Sequence, residues 1–315
     1  MEHGIKTLQE AVLHFSSADN CREYMIARRW PNGVTCPRCD SDKVTYQPKY
    51  SRWQCATHHP RRQFTIKTGT IFEDSPLPMQ KWLPAVWFVV NCKNGISSYE
   101  IHRALGVTQK TAWFMLQRIR LAMQASPFVQ SMSGQIEVDE TFIGGKARNM
   151  HKGVREARIK ARGPLGKTIV MGLLSRHGEV RTQVVAKNNR KTLHGIVKEN
   201  VASGSEVFTD AHPAYFGLDS EYAHQVIDHA EAYVKGNVHT NGLENFWSLL
   251  KRGINGTYIS VEPFHLFRYV DEQAFRYNNR KKMNDGERFS KAVGQVVGKR
   301  VTYKELTGKV SETAA

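Results

Sequence analysis

Residues 135–143 read QIEVDETFI, and apolar and polar residues alternate along this stretch as they do in a half-buried β-strand. The alternation puts Asp139 in mid-strand, where a carboxylate is unfavourable unless it has a partner or binds a metal. The next residue, Glu140, is expected to point to the opposite face of the strand and to have a structural or supporting role. The stretch therefore predicts a β-sheet that carries an acidic group.

The residues after this strand alternate between strand and helix patterns. Strands are predicted at 168–174, at 180–186 and at 207–210, where the last strand ends in Asp210. A helix is predicted at 192–201, between the second and third of these strands. This order of strands and helices is the one that a ribonuclease-H-like fold supplies.

A further helix is predicted at 239–251, and it carries the third acid. Asn241, Glu244, Ser248 and Lys251 recur along it at spacings of three and four, beside a separate apolar face. Asp139, Asp210 and Glu244 would thus come from two strands and one helix. Hard cations such as Mg²⁺ take oxygen ligands, and two ions about 4 Å apart stabilise both reacting oxygens of a phosphoryl displacement.

Each acid also has an ordinary structural interpretation. Asp139 could pair with a lysine, Asp210 could cap the turn before His212, and Glu244 could be a first-turn acid that the helix dipole favours. The three acids together, in a chain with a formal net charge of +16, favour a catalytic site.

A second motif upstream predicts a zinc site. Cys36-Pro-Arg-Cys39 is followed, 16 positions after Cys39, by Cys55-Ala-Thr-His58, and two such turns can converge on one tetrahedral zinc. His58 is the preferred fourth ligand because it repeats the two-residue gap of the first pair, and His59 is the competing candidate. Cys21 and Cys92 have no spaced partner and are expected to be buried thiols, so the five cysteines do not form a disulfide framework.

The segment between these two regions predicts a helix-turn-helix. Ser97 and Glu100 have the spacing of a capping box, Gly106 suits a tight turn, and Thr108 can cap the helix that follows. An ordinary helical hairpin would give the same pattern, but the charge of the chain favours DNA binding. The predicted contacts are Gln109, Lys110 and Thr111 with base edges and Arg118 and Arg120 with phosphates.

The charge identifies nucleic acid as the expected partner, because phosphate backbones attract a strongly basic surface. No 18-residue apolar run is present and residues 1–10 do not resemble a secretory signal, so a cytoplasmic, nucleoid-associated protein is expected. A basic stretch at 146–167 reads equally well as a solvated insert or as a DNA backbone contact.

Six motifs in this order resemble the transposases of bacterial insertion sequences that carry a DDE catalytic domain behind an N-terminal zinc ribbon. They are CPRC at 36–39, KTGTIFED at 67–74, VDETFIGGK at 138–146, FTDAHPAY at 208–215, HTNGLENFWSLLKRGINGTY at 239–258 and FRYNNR at 275–280. His58 departs from the cysteine usual at the fourth position of that ribbon.

The resemblance implies a chemistry and a set of residues. Asp139 and Asp210 would be the first two metal ligands, and Glu244 the third, with Asn241 as the alternative third residue. Lys251 and Arg252 would contact DNA. Each active site would hold two Mg²⁺ or Mn²⁺ ions in addition to one structural Zn²⁺ per chain. The partners would be double-stranded element ends and target DNA, bound by a homodimer or higher oligomer.

The predicted architecture is α+β and multidomain. The expected regions are an N-terminal helical segment (1–30), a zinc ribbon (31–75), a helix-turn-helix domain (76–130), a ribonuclease-H-like catalytic domain (131–285) and a C-terminal tail (286–315). The expected function is cutting and joining of element ends. The alternatives are a domesticated transposase that regulates by binding DNA, and a nuclease of the same fold that hydrolyses without joining.

Overall fold

The computed structural model describes residues 4–124, 130–145, 151–153, 156, 166–176, 178–227 and 239–308. The chain divides into two compact units, which we call unit 1 (residues 1–124 with 279–315) and unit 2 (residues 125–278). Most of the basic stretch at 146–167 lies outside the described residues. Helices and two sheets confirm the predicted mixed α+β class. Within the described ranges, no helix is long and apolar enough to cross a membrane.

Unit 1 begins with two short helices and a small sheet. Helix α1 (Leu8–His14) starts at a capping box formed by Thr7 and Glu10, and α2 (Ala18–Arg29) starts at Ser17. Strands β1 (Val44–Gln47), β2 (Arg52–Cys55) and β3 (Gln63–Phe64) form an antiparallel sheet in that order.

The apolar cluster of this sheet is small. Trp53 stacks on Phe64 with ring centroids 5.8 Å apart, and Trp30, Cys36 and Cys55 complete the buried set. A core of this size supplies little folding energy, so a metal cross-link would be an important part of its stability.

Three helices follow in unit 1: α3 (Met79–Asn91), α4 (Ser98–Leu105) and α5 (Gln109–Met123). The predicted capping box of Ser97 and Glu100 is confirmed, since each side chain accepts a hydrogen bond from the other residue's backbone N–H. Gly106 ends α4 in the left-handed conformation with φ 58°, and Thr108 caps α5. From Met115 to Arg120 every residue of α5 is buried, so α5 is a core helix that exposes mainly its first turn.

Unit 2 is built on a five-stranded sheet. Its strands are β4 (Gln135–Ile143), β5 (Thr168–Ser175), β6 (Val180–Val185), β7 (Glu206–Asp210) and β8 (Ala223–Ile227), in the spatial order β6-β5-β4-β7-β8. Strands β4, β5 and β6 pair antiparallel, whereas β7 is parallel to both β4 and β8. Helices α6 (Arg190–Asn200), α7 (Asn241–Arg252) and α8 (Leu266–Asn279) complete the unit.

Each face of this sheet has its own core. On one face, Ile136 and Val138 of β4 pack in a cluster with Leu193 and Val197 of α6. The cluster on the other face joins residues of β5 and β6 to the apolar side of α7, and Leu243, Phe246, Trp247 and Leu250 are its α7 members. The predicted buried face of the 239–251 helix is thereby confirmed, which leaves Glu244 and Lys251 exposed.

The C-terminal part of unit 1 is helical rather than a loose tail. Helix α9 (Asp285–Gly294) starts at a capping box of Asn284 and Glu287, and α10 (Tyr303–Leu306) buries Leu306. Phe289 packs in the core, with its ring 5.5 Å from Phe15 and 5.3 Å from Trp87. Phe289, Ala292 and Val293 have helical i, i+3, i+4 spacing, a signal that the description of 286–315 as a polar tail missed.

Candidate active site and metal centre

Four ligand atoms of unit 1 converge on one point. The sulfurs of Cys36, Cys39 and Cys55 and a ring nitrogen of His59 all lie within 4.8 Å of one another. Cys39 Sγ is 3.7 Å from Cys55 Sγ, and Cys36 Sγ is 3.4 Å from His59 Nε2. Donors placed 2.0–2.3 Å from a tetrahedral zinc are separated by roughly 3.5–3.8 Å, so the spacing fits Zn²⁺.

The fourth donor is His59, and the predicted ligand His58 is corrected. The Cys55-to-His59 gap of three residues lies within the range that zinc turns use, whereas the prediction of His58 assumed that both gaps are equal. His59 Nδ1 is 2.8 Å from the carbonyl oxygen of Pro60, which accepts the ring N–H and leaves Nε2 free to bind the ion.

The electrostatics of the cluster also suit a metal. Although burial opposes ionisation of Cys55, hydrogen bonds with His59, Cys39 and Thr57 lower the pKa of this thiol to about 7. The thiolate is the form that binds zinc. Cys21 lies away from the cluster, and burial raises the pKa of its thiol to about 11, which fits the predicted buried thiol.

In unit 2, the pairing of β4 with β7 brings the first two acids together. Gln135 pairs with Glu206, Ile136 with Val207 and Glu137 with Phe208, a constant offset of 71 positions. The pairing ends at Glu137 and Phe208, and the same offset relates Asp139 to Asp210 two residues further along. The charge of Asp210 reaches Asp139. Asp210 also accepts a hydrogen bond from the His212 backbone N–H at 3.1 Å, so it has the predicted turn-capping role as well.

Asp139 is held by hydrogen bonds from two directions. Its Oδ1 accepts the Glu140 backbone N–H at 2.8 Å, and its Oδ2 accepts the indole N–H of Trp247 at 2.9 Å. Burial raises the pKa of Asp139 to about 6. The hydrogen bond from Trp247 opposes this rise, and the charges of Asp210 and Glu244 add to it, so both acids lie within electrostatic reach of Asp139.

A glycine makes room for the indole. Gly172 pairs with Asp139 across β4 and β5, and a Cβ atom there would lie only 2.7 Å from the Trp247 ring. Any other residue at this position would push α7, and with it Trp247 and Glu244, away from Asp139.

A buried acid that the sequence analysis did not single out anchors the start of α7. Glu137, 1% exposed, accepts the Leu243 backbone N–H at 3.0 Å and the Arg176 Nε–H at 3.1 Å. Arg176 also donates to the carbonyl oxygen of His239 at 2.7 Å. Thr240, the N-cap of α7, makes no side-chain cap, so the carboxylate of Glu137 takes the place of a capping group. The sequence does contain a signal for Glu137. It lies two residues before Asp139 and therefore on the same face of β4.

Glu140 lies on the other face of β4, as expected, yet it is not remote from the acids. Burial raises the pKa of its carboxyl group to about 7, and the charges of Asp210 and Asp139 add to the rise. The fully buried Tyr215 hydroxyl is the neighbour of Glu140, and its hydrogen bond opposes the rise in the pKa of Glu140. The pKa of Tyr215 is raised well above its ordinary value, first by burial and then by the charge of Glu140.

The acids of unit 2 are spread more widely than the zinc ligands. Within the part of the chain that the structure describes, the Cys/His cluster is the one group of three or more candidate ligands whose donor atoms all lie within 4.8 Å. The arrangement of Asp139, Asp210 and Glu244 thus differs from a closed site for a single ion. Asn241, the alternative third residue, is the first residue of α7 and is exposed, as is Glu244.

The structure separates the predicted DNA contacts into two groups. Lys110, Lys251 and Arg252 are exposed. Gln109 donates to Ser98 Oγ at 2.8 Å, and the Thr111 hydroxyl lies 2.8 Å from that of Thr108, so both contribute to the turn between α4 and α5.

The prediction that Arg118 contacts a phosphate is wrong. Arg118 is 5% exposed, donates to the backbone oxygen of Glu73 at 2.8 Å and lies over the Phe114 ring, so it does not face solvent where a phosphate could bind. Arg120 is buried as well. Both lie in the second half of α5, where every residue from Met115 to Arg120 is buried.

Comparison with known proteins agrees with these two centres. Residues 131–278 match the family of the ISXO2-like transposase domain, and residues 16–57 match the transposase zinc-ribbon domain. An uncharacterized protein in transposable element ISH50 of Halobacterium salinarum is 28% identical over 254 residues, which cover 76% of this chain and 84% of that protein. An uncharacterized transposase-like protein of Haemophilus influenzae is 33% identical over 102 residues, which cover 32% of this chain and 82% of that protein. The chain therefore belongs to the insertion-sequence transposases that carry a DDE transposase domain behind an N-terminal zinc ribbon.

Proposed function

We propose that this chain cuts the ends of an insertion sequence and joins them to target DNA by metal-assisted phosphoryl transfer. The observation that carries the proposal is the meeting of three acids from three elements. The proposal is supported by the β4–β7 register, whose offset of 71 positions relates Asp139 to Asp210, and by the charges of Asp210 and Glu244 acting on Asp139.

The donor set fits Mg²⁺ or Mn²⁺. Carboxylate oxygens are the ligands that these hard cations prefer, and Asp139, Asp210 and Glu244 would hold them. Bound ions would supply activation of the attacking oxygen and stabilisation of the leaving oxygen. Burial is the main reason why the pKa of Asp139 is raised, and the negative charges of Asp210 and Glu244 add to the rise; bound cations would compensate these charges.

The side chains around the acids support this chemistry in defined ways. Trp247 orients Asp139 through its indole N–H, so the carboxylate is fixed before substrate arrives. The α7 N-terminus, anchored by Glu137, holds Glu244 in its first turn. Lys251 and Arg252 would bind phosphates of the strand being cut.

The fold of unit 2 is consistent with a ribonuclease-H-like catalytic domain. Three antiparallel strands are followed by two strands parallel to the first one, and α6 connects the two groups. The strand order and the placement of acids on β4, β7 and α7 together support this assignment.

We propose that the ends of the element are recognised by unit 1. The zinc ribbon and the α4–α5 pair, as a helix-turn-helix, would provide the recognition surface. Lys110 on the first turn of α5 is the exposed cation that such a helix needs near the DNA. Cutting and joining two ends requires at least two active sites, so a homodimer or higher oligomer would assemble on the DNA.

The test uses purified protein, Mg²⁺ and a duplex that carries the element's own ends. The wild-type protein should nick and join the duplex, whereas Asp139→Ala and Asp210→Ala should bind it without cutting. Glu244→Ala should be inactive and Asn241→Ala active; the reverse would make Asn241 the third ligand.

Two other results of this experiment would identify one of the alternative functions. Hydrolysis without joining would identify a nuclease of the same fold. Binding of the ends without any cutting, with either Mg²⁺ or Mn²⁺, would identify a DNA-binding regulator and would contradict the proposed activity.

A further inference from the structure

The segment after α7 holds an apolar side chain in an unusual position. Residues 253–258 form a π-helical turn that continues α7, and Ile259 follows it with φ 63° and ψ −53°. The Ser260 backbone N–H donates to the Tyr258 carbonyl oxygen at 2.6 Å, which makes this a γ-turn of positive φ centred on Ile259. This turn is rare and strained, and a β-branched residue is poorly suited to it.

Buried anchors on both sides hold the turn in place. The Tyr258 hydroxyl donates to the fully buried carboxylate of Glu272, and the Tyr258 ring packs edge-on against Tyr269 at 4.7 Å. After the turn, Val261 packs against the core cluster that contains α7. Strain of this kind persists only where the surroundings impose it, and it is concentrated at functional positions.

The turn presents Ile259 to solvent rather than to the core. Ile259 is 79% exposed, the largest exposure among the large hydrophobic residues described. A single exposed apolar residue is common, but here the exposure is combined with a strained backbone, and retained strain is concentrated at functional positions.

The charge of the neighbouring surface indicates the partner that this exposed side chain would contact. Between Glu244 and Glu262 the sequence contains no acidic residue, and the exposed side of α7 offers Ser248, Lys251 and Arg252. Lys251 lies seven residues after Glu244, hence on the same helix face and about 10 Å along the axis. That length corresponds to about three phosphates of one strand.

We propose that the face of α7 from Glu244 to Arg252 guides the strand being cut, and that Ile259 is a wedge that packs against an unstacked base of that strand. The inference rests on the proposed function for its substrate and names a new contact within it. Aliphatic wedges that insert at base steps partly unstack the duplex. By helix geometry Ile259 lies about 20 Å beyond Glu244, so the strand would be opened several bases from the scissile phosphate and led along α7 to the acids.

The experiment uses the full chain and duplexes of the element's own ends with 2-aminopurine at successive positions around the cut. The fluorescence of this base rises when it unstacks. Wild-type protein should raise the fluorescence severalfold at one position, and Ile259→Gly should return it to the value of the free duplex. Glycine relieves the strain at positive φ, so this variant keeps or gains stability.

The cleavage rates of the variants should change in the same direction as their 2-aminopurine fluorescence. Ile259→Gly should cut about tenfold more slowly than wild type, as expected when part of the energy of unstacking a base step is lost. Ile259→Leu should give the fluorescence change and the cleavage rate of the wild-type protein, because leucine keeps the apolar volume of the side chain. Leu13→Ala, which removes a similarly exposed apolar side chain of α1 (67% exposed), should change neither.

Three results would overturn the inference. The first is that the Ile259→Gly variant gives the same fluorescence change and the same cleavage rate as the wild-type protein. The second is a fluorescence change that is absent at every position although the wild-type protein cuts, which would leave the proposed function intact. The third is a change in the sedimentation of the DNA-free protein on Ile259→Gly, because Ile259 would then contact a second copy. Failure of the proposed function is recognised separately, since wild type would bind the ends and never cut them.

Discussion

Asp139 illustrates how single residues prepare the site. It accepts hydrogen bonds from a backbone N–H and from Trp247, which lies 108 positions later in the chain. Gly172 permits this contact because it has no Cβ at the point where the indole passes. Charge-assisted hydrogen bonds of this kind orient a ligand before the metal arrives.

Trp247→Phe tests this arrangement. The phenyl ring should keep the packing over Gly172, while the donor to Asp139 Oδ2 is lost. We expect a 10- to 100-fold fall in Mg²⁺-dependent cleavage, about the loss typical when a group that positions a metal ligand is removed. The measurement is the cleavage rate as a function of Mg²⁺ concentration. An unchanged metal dependence would show that the indole N–H has no role in positioning Asp139.

At the scale of elements, α7 is positioned by a buried ion pair. Glu137 and Arg176 connect β4 and β5 to the first turn of the helix, and Gly242 allows close approach because a Cβ there would lie 2.7 Å from Glu137 Oε2. Removing one partner of a buried pair leaves the other charge without compensation.

Glu137→Ala should therefore lower the free energy of unfolding by about 3–5 kcal/mol. Urea denaturation checks this value. The matched control is Glu206→Ala, which removes a less buried acid from the neighbouring strand β7 and should cost far less. A loss of stability no greater than that of the control would contradict the anchoring role.

The zinc ribbon makes a second prediction at this scale. His59→Ala should lose the ion and loosen the sheet β1–β3, whereas His58→Ala should keep about one zinc per chain. Elemental analysis of both purified variants distinguishes them, and Trp53 fluorescence reports on the packing of the ribbon. Zinc loss in His58→Ala with retention in His59→Ala would reverse the assignment.

At the scale of the whole molecule, unit 1 is assembled from both ends of the chain. The Ile71 backbone N–H donates to the Val296 carbonyl oxygen at 3.0 Å, and Phe289 lies among Phe15, Tyr24 and Trp87. In the sequence, unit 2 is thus inserted between the two segments that form unit 1.

Phe289→Ala should lower the free energy of unfolding of unit 1 by about 3–5 kcal/mol, the usual cost of removing a buried phenyl ring. Val297→Ala is the control, since Val297 is 44% exposed and its truncation should cost much less. Equal effects of the two substitutions would mean that the C-terminal segment contributes little to the core.

Local patterns in the sequence were sufficient for several features of this protein. The capping box at Ser97, the turn at Gly106, the strand around Asp139 and the apolar face of α7 depend on residues within one or two turns of each other, so their spacing predicts them. The spacing of Cys36 and Cys39, and of Cys55 and a following histidine, predicted a metal centre for the same reason. Motif order predicted the family, which the comparisons confirm.

Tertiary structure decided the features that depend on distant residues. The sequence does not show that Arg118 is enclosed by other helices, that Glu137 caps α7, or that Trp247 reaches Asp139. The sequence favoured His58 over His59 wrongly, because the path of the turn determines which ring faces the sulfurs. These contacts arise only when separate elements pack together, and no local periodicity encodes which side chains then meet.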